Sequence, residues 1–427
     1  MGERQAAGAP KRVPPARRAA ATDRPRLRVV RPPARRSAKD AARLARVDLI
    51  LLAASSAFLT ATGLVMVLSA GSVSAAQGYG GNSFWYFERQ VVYAVVGIAA
   101  AAAAYRLPTR EWRRLGTPLL AITALLMLIA AHPSSGTSLY GASRWIDLGP
   151  VTLQPSEFAK LALVAFTATV LANKWDKLDD PAHLLLPLGP VVAIIAGLGI
   201  LQRDLGTTLI ICASVFVMLF VAGVRLRYLA ITGAAGLAGV SFLVFGEAYR
   251  KARLFEAWLD PWADPQRTGY QLIQGLIAIG SGGWFGTGLG TSRAKWDFLP
   301  NAHSDFIFAV IGEELGLLGA FVVLIAFGVL IYAGIRIAVH ATGTFERLLA
   351  AGVIGWIGLQ AIVNLGAVTG LLPITGVPLP LVSFGGTALV VTLAGVGVLA
   401  GIARSSVKAA GTRTAAGRRA SARKASS

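Results

Sequence analysis

Trp296-Asp-Phe-Leu-Pro-Asn-Ala-His-Ser-Asp-Phe-Ile-Phe-Ala-Val-Ile-Gly-Glu-Glu-Leu-Gly316 is the stretch whose reading decides the fold. It starts as polar loop and turns apolar at Asp305, and Glu313 and Glu314 then sit inside the apolar run. A carboxylate at the edge of a membrane span, or within one, is costly and marks function by default. If the run is one helix, Asp305 and Glu313 lie about 12 Å apart along its axis, offset by roughly 80°. Glu314 then points to the opposite side. The expectation is that one glutamate faces a cavity and the other the bundle.

Working outward, apolar runs recur near 47–70, 90–105, 116–131, 157–172, 184–201, 206–223, 227–245, 306–335, 348–372 and 381–403. Runs of roughly 20 apolar residues are long enough to cross a bilayer as helix. The chain is 427 residues long, 55% hydrophobic and only 15% charged, too apolar for an ordinary soluble domain. It reads as an all-α polytopic integral membrane protein of about ten spans. A large extracellular loop, 246–305, separates spans 7 and 8. The 306–335 run exceeds the length a bilayer needs, so one end should project or tilt.

The net charge of +20 is concentrated at the ends. Residues 1–46 carry 14 Lys/Arg against three acids, and 404–427 carry seven and none. The expected organisation is a basic disordered cytoplasmic tail (1–46), a membrane domain (47–404) and a second basic cytoplasmic tail (405–427). Tails that adjoin spans set topology and meet anionic membrane lipids, and nucleic acid is not expected. With both tails inside, Arg106, Arg110, Arg113, Arg114, Lys174, Lys177, Arg225, Arg227, Arg336 and Arg347 fall in inner loops, in accord with the positive-inside rule.

The outer loops then carry the candidate chemistry. In Gln154-Pro-Ser-Glu-Phe-Ala-Lys160, Pro155 suits a first helical turn. Glu157 and Lys160 share a face at i,i+3. A helix N-terminus beside an ammonium suits an anion such as phosphate, although an interfacial ion pair is an equal reading. Arg144 lies in a Gly/Ser loop with Asp147 as its expected ion-pair partner, and arginine also grips phosphate through its fork of donors. Asp204, beside Arg203 in a short turn, is expected to cap the following helix. The Gly-rich Ser281–Gly290 segment fits no nucleotide-loop pattern and is expected to be a flexible lid or hinge. Four scattered histidines and the lone Cys212 suggest no metal site and no disulfide.

Gly-Ala-Ser-Arg-Trp-Ile (141–146), Gln-Pro-Ser-Glu-Phe-Ala-Lys (154–160), Arg-Asp-Leu-Gly (203–206), the opening stretch and Gly-Val-Pro-Leu-Pro-Leu-Val-Ser-Phe-Gly-Gly-Thr (376–387) occur in this order. Together they resemble the SEDS family (shape, elongation, division, sporulation) of bacterial peptidoglycan polymerases, over residues 47–404. The first motif and Ile-Gly-Glu-Glu-Leu-Gly resemble the division branch, the FtsW type, with actinobacterial features. Gly-Val-Pro-Leu-Pro-Leu-Val-Ser (376–383) is more like the elongation branch, and Phe384 and Thr387 stand where Tyr and Ser are commoner in the family. Asp297 stands where glutamate is frequent.

The resemblance implies an inverting glycosyltransferase that polymerises lipid II into β-1,4 glycan at the outer face of the bacterial cytoplasmic membrane, with Asp305 as the catalytic acidic residue. Substrate contacts are then expected among Arg144, Glu157, Lys160, Arg203, Asp204, Asp297, His303 and Glu314. Its implied partners are a class B penicillin-binding protein and other divisome proteins. A divalent cation (Mg or Mn) would help the leaving diphosphate. A lipid II flippase, or transporter, is the alternative of another class.

Overall fold

The structure, a computed structural model, describes residues 38–132, 137–139, 142–147, 149, 152–178, 180–246, 251 and 257–425. The chain is helical: α1 (Ala38–Gly78), α2 (Trp85–Arg106), α3 (Thr109–Ala131), α4 (Pro155–Asn173), α5 (Pro181–Leu201), α6 (Leu205–Val221), α7 (Leu226–Phe245), α8 (Tyr270–Ser281), α9 (Ile307–His340), α10 (Thr344–Val368) and α11 (Gly386–Ala425). Among the described residues eight helices are long and apolar enough to cross a membrane, and α6 is a shorter apolar helix, as is the described part of α7.

Local sequence explains most helix ends. Pro155 and Pro181 open α4 and α5 at positions where a missing N–H is no loss. Asp180 caps α5 by accepting from Ala182 N–H at 3.0 Å, and Asp204 caps α6 by accepting from Thr207 N–H at 3.3 Å. Helix α1 starts at Ala38, so the stretch 38–46, expected to be disordered tail, is helical. The rest of the expected N-terminal tail, 1–37, lies outside the described residues.

Two further features depart from the sequence reading. The 132–156 segment contains strands β1 (Thr137–Leu139), β2 (Ala142–Asp147) and β3 (Thr152–Leu153), which pair antiparallel in that order. Asp147 accepts from Gly149 N–H at 2.8 Å and so shapes the turn leaving β2. More consequentially, α9 is not one continuous helix. It breaks at Gly316, whose φ of 68° and ψ of −170° are essentially open only to glycine. A buried nine-residue arm, 307–315, precedes the break, and the long lipid-length portion follows it.

The core runs through α4, α6, α10 and α11, with Trp356, Met218, Leu163 and Leu399 fully buried. Small residues let the helices approach: Gly352 lies on Met218 and Val164, and Gly397 on the backbone of Ala101. Exposed Val95, Ile122, Leu125, Ile194, Phe242 and Ile325 form the outward apolar face that a bilayer requires.

Candidate active site at one end of the bundle

The two sets of connections separate to opposite ends. At one end Thr109 donates to Glu346 at 2.9 Å, Arg336 pairs with Asp48 at 2.9 Å, and Arg404 donates to the Arg106 carbonyl at 3.4 Å. At the other end the segment 375–387 gathers the candidate residues. Up to Gly385 this segment is not helical, because Pro378 and Pro380 interrupt it and Leu381 adopts a left-handed φ of 66°. Its polar backbone atoms are therefore met by side chains from surrounding helices.

Asp305 lies at the head of the short α9 arm and is half-buried. The backbone around it is tied on three successive carbonyls. The His303 carbonyl accepts from Phe384 N–H at 3.0 Å, the Ser304 carbonyl from Ser383 Oγ at 2.6 Å, and the Asp305 carbonyl from Asn364 Nδ2 at 2.8 Å. The same Asn364 Nδ2 donates to the Val377 carbonyl at 2.8 Å. One buried amide on α10 thus ties the Asp305 backbone to the 375–387 segment.

His303 is not an open ligand group. Its ring stacks on Tyr86 at 4.2 Å and meets the Phe384 ring edge-on at 5.7 Å. Burial pushes its imidazole down to about 4, so the ring is neutral at pH 7. Gln90, one turn beyond Tyr86, donates to the Ser383 carbonyl at 3.1 Å and so brings α2 to the same place.

Asp204 has a larger role than the expected cap. Its carboxylate, 3% exposed, accepts from Gln154 Nε2 at 3.1 Å and Ser156 Oγ at 3.2 Å, and pairs with Arg144 at 3.3 Å. Arg144 therefore pairs across the fold with Asp204, and Asp147, its expected partner, is spent on its own turn. Arg203 is exposed beside this hub with a left-handed φ of 58°. Gly206 lets α6 approach the Thr375 carbonyl, which docks the hub on the 375–387 segment.

Glu157 and Lys160 share a face as expected, at 2.7 Å, but each is only 1% exposed. The ammonium also donates to Gln360 Oε1 at 2.8 Å and lies 5.4 Å from the Trp356 ring centre. Gln360 in turn donates to the Pro378 carbonyl at 2.9 Å. The pair sits as a buried strut rather than at the open interface the sequence suggested.

Asp297 is exposed and accepts from Ser74 Oγ of α1 at 3.4 Å. Glu313 and Glu314 do not diverge as an unbroken helix would require. Both are buried and reach the same segment, 292–294. Nor is the Gly-rich stretch a free lid. Thr287 and Gly288 N–H groups donate to the Glu313 and Glu314 carbonyls at 3.0 Å each, and Leu317 N–H donates to the Gly283 carbonyl at 2.9 Å. Among the described residues no three His, Cys, Asp or Glu side chains gather as a metal-binding group.

The residues that sequence reasoning missed are amides: Gln90, Gln154, Gln360 and Asn364. Gln360 and Asn364 lie at i,i+4 inside an otherwise apolar span. That spacing on one helical face is the signal that would have found them.

A multi-span helical protein with a charged, amide-braced site at one end of its bundle is the class that fold and site define. A profile of the FtsW/RodA/SpoVE family, described as cell cycle proteins, matches residues 49–408. The chain belongs to that family. It is 43% identical over 354 residues to a protein of Geobacter metallireducens named a probable peptidoglycan glycosyltransferase FtsW, covering 83% of this chain and 94% of that one. It is 38% identical over 359 residues to the stage V sporulation protein E of Bacillus subtilis, covering 84% and 97%. Among solved structures it is similar to a chain described under the structural coordination of polymerization and crosslinking by a peptidoglycan synthase complex. That similarity has a TM-score of 0.69 at 31% identity, over 83% of this chain and 97% of that one. The rod shape determining protein RodA of Thermus thermophilus matches with a TM-score of 0.60 at 30% identity, over 83% and 95%.

Proposed function

We propose that the protein is a peptidoglycan glycosyltransferase that polymerises lipid II at the outer face of the bacterial cytoplasmic membrane, in septal wall synthesis. The observation that carries this reading is the placement of Asp305. It is a half-buried carboxylate at the head of a buried helix arm, with the backbone fixed on three successive carbonyls. A general base needs that kind of fixed position within hydrogen-bond reach of its proton.

In this reading Asp305 accepts the proton of the acceptor sugar's 4-hydroxyl as the oxygen attacks the donor's anomeric carbon. The bond to undecaprenyl diphosphate breaks on the opposite face, so the anomeric centre inverts. Arg144 and the exposed Arg203 face the leaving diphosphate, for which forked guanidinium donors are well suited. Asp204 orients Arg144, and the buried Glu157–Lys160 strut holds α4 against α10. A divalent cation, Mg or Mn, belongs in this reading to the substrate's diphosphate, and no step is routed through a protein-held metal. Both termini are cytoplasmic, which puts the Arg-rich end of the bundle inside. A class B penicillin-binding protein is the working partner, joined by other divisome proteins.

The test is incubation of the full chain and its transpeptidase partner with purified lipid II. Glycan strands with β-1,4 linkages are expected. Lipid II crossing protein-containing liposomes, with no glycan formed, would replace this reading with a flippase.

A further inference from the structure

The two glutamates of the α9 arm are unused by the proposed chemistry, yet they are 3% and 1% exposed. Burying two adjacent carboxylates is costly unless donors meet them. The donors come from one short segment. Ser292 Oγ donates to Glu313 Oε2, Arg293 N–H to Glu313 Oε1 at 2.9 Å, and Ala294 N–H to Glu313 Oε2 at 3.4 Å. Ser292 N–H donates to Glu314 Oε1 at 3.2 Å, and Ser69 Oγ of α1, with its one proton, lies within hydrogen-bond distance of both Glu314 oxygens, at 2.6 and 2.8 Å. Three successive backbone N–H groups thus close on the two carboxylates, an arrangement that favours anions.

The helix break supplies the second half of the fastening. At Gly316 a Cβ would lie 2.3 Å from Gly286 N, and at Gly286 one would lie 2.1 Å from the Glu314 carbonyl. Only glycines allow this approach. The 283–294 segment is therefore laced to 313–318 along its backbone and through both glutamates. Beyond it the chain runs through Asp297 to Asp305, where Asn364, Ser383 and Phe384 hold the far end. The stretch 295–302 connects these two anchors, tied on the way by Ser74 to Asp297 and by Gln271 to the Pro300 carbonyl.

We propose that Glu313 and Glu314 are positioning residues that clamp the outer segment 292–300 so that it forms a fixed wall beside Asp305. This rests on the glycosyltransferase reading. They touch neither sugar nor diphosphate. Their work is to set the geometry in which the acceptor hydroxyl meets the base, where a displacement of about 1 Å costs on the order of 100-fold in rate.

The experiment compares Glu313→Gln and Ser292→Ala with wild type, as full chains with the transpeptidase partner, in amide hydrogen exchange and lipid II polymerisation. Glu313→Gln is expected to raise exchange at Arg293 and Ala294 by at least about tenfold and to lower kcat on the order of 100-fold. KM should stay within about threefold and the acidic limb of the pH–rate profile should not move. Ser292→Ala keeps both carboxylates and should show smaller changes of the same sign. Raised exchange with kcat unchanged would overturn the proposal. So would a kcat loss with unchanged exchange and a displaced acidic limb, which would put Glu313 in proton transfer. If Glu313→Gln does not fold, Ser292→Ala decides on the same criteria. An inactive wild type, or an Asp305→Asn variant as active as wild type, would instead sink the underlying reading and leave the exchange result standing.

Discussion

Asn364→Leu separates the cost of losing a buried amide from the cost of losing the geometry of the site. The side chain is 2% exposed, and its Nδ2 donates to two backbone carbonyls, of Asp305 and Val377, both at 2.8 Å. Each lost bond is worth about 1 kcal/mol net, or more if the carbonyl stays dry. Leucine keeps the branched shape and is larger rather than smaller, so no cavity opens. Asn364 Oδ1, buried without a hydrogen-bond partner, is removed as well, which returns part of the loss. The expected destabilisation is therefore modest, about 1–3 kcal/mol. The effect on chemistry should be larger. The Asp305 backbone would lose its direct tie to α10, and a shift of about 1 Å costs on the order of 100-fold, or about 2.7 kcal/mol of barrier. Thermal unfolding and lipid II polymerisation on the same preparation measure both quantities. A variant that is destabilised as expected but polymerises within about threefold of wild type would refute the role given to Asn364.

Further outcomes follow from other parts of the structure. Lys160→Met leaves the 1%-exposed Glu157 without its cation and should cost about 3–5 kcal/mol, much of it recovered in Lys160→Met/Glu157→Gln, as a double-mutant cycle in thermal unfolding will show. Arg144→Lys keeps the charge but loses the fork. It should raise KM for lipid II on the order of tenfold while changing stability by less than about 1 kcal/mol, since Arg144 is partly exposed. Gly316→Ala forces a side chain into a left-handed backbone against Gly286 and should lower the folded yield, by at least about 1–3 kcal/mol in unfolding measurements. His303, held neutral by burial with its imidazole at about 4, binds its proton more readily in the unfolded chain. Stability should therefore fall as pH drops from about 6.5 to 4, by up to about 3 kcal/mol, and level off below. His303→Phe keeps the stacking on Tyr86 and should flatten that slope in melts across this pH range.

Charge was the legible part of this site. Asp305, Arg144 and Asp204 stand out because formal charges beside apolar runs are rare, and the structure sets Arg144 and Asp204 together and Asp305 on the same 375–387 segment. Amides carry no such signal. Asn364 and Gln360 look like tolerated polar residues until the 375–387 segment, with its two prolines, supplies carbonyls that need donors. The break at Gly316 was hidden because Glu-Glu-Leu-Gly-Leu continues a helical pattern, and a single glycine in an apolar span is ordinary. That one backbone angle decides where Glu313 and Glu314 reach, so helical phase alone misplaced them. The small sheet was invisible because β1 and β3 are only three and two residues long and Ala-Ser-Arg-Trp-Ile-Asp of β2 does not alternate.

The central claim is that Asp305 takes the acceptor proton, and polymerisation of purified lipid II by Asp305→Asn, with its partner and with folding verified, tests it most directly. A loss of about 100-fold or more is expected, in line with removal of a general base. Glycan formation by Asp305→Asn at the wild-type rate would contradict it.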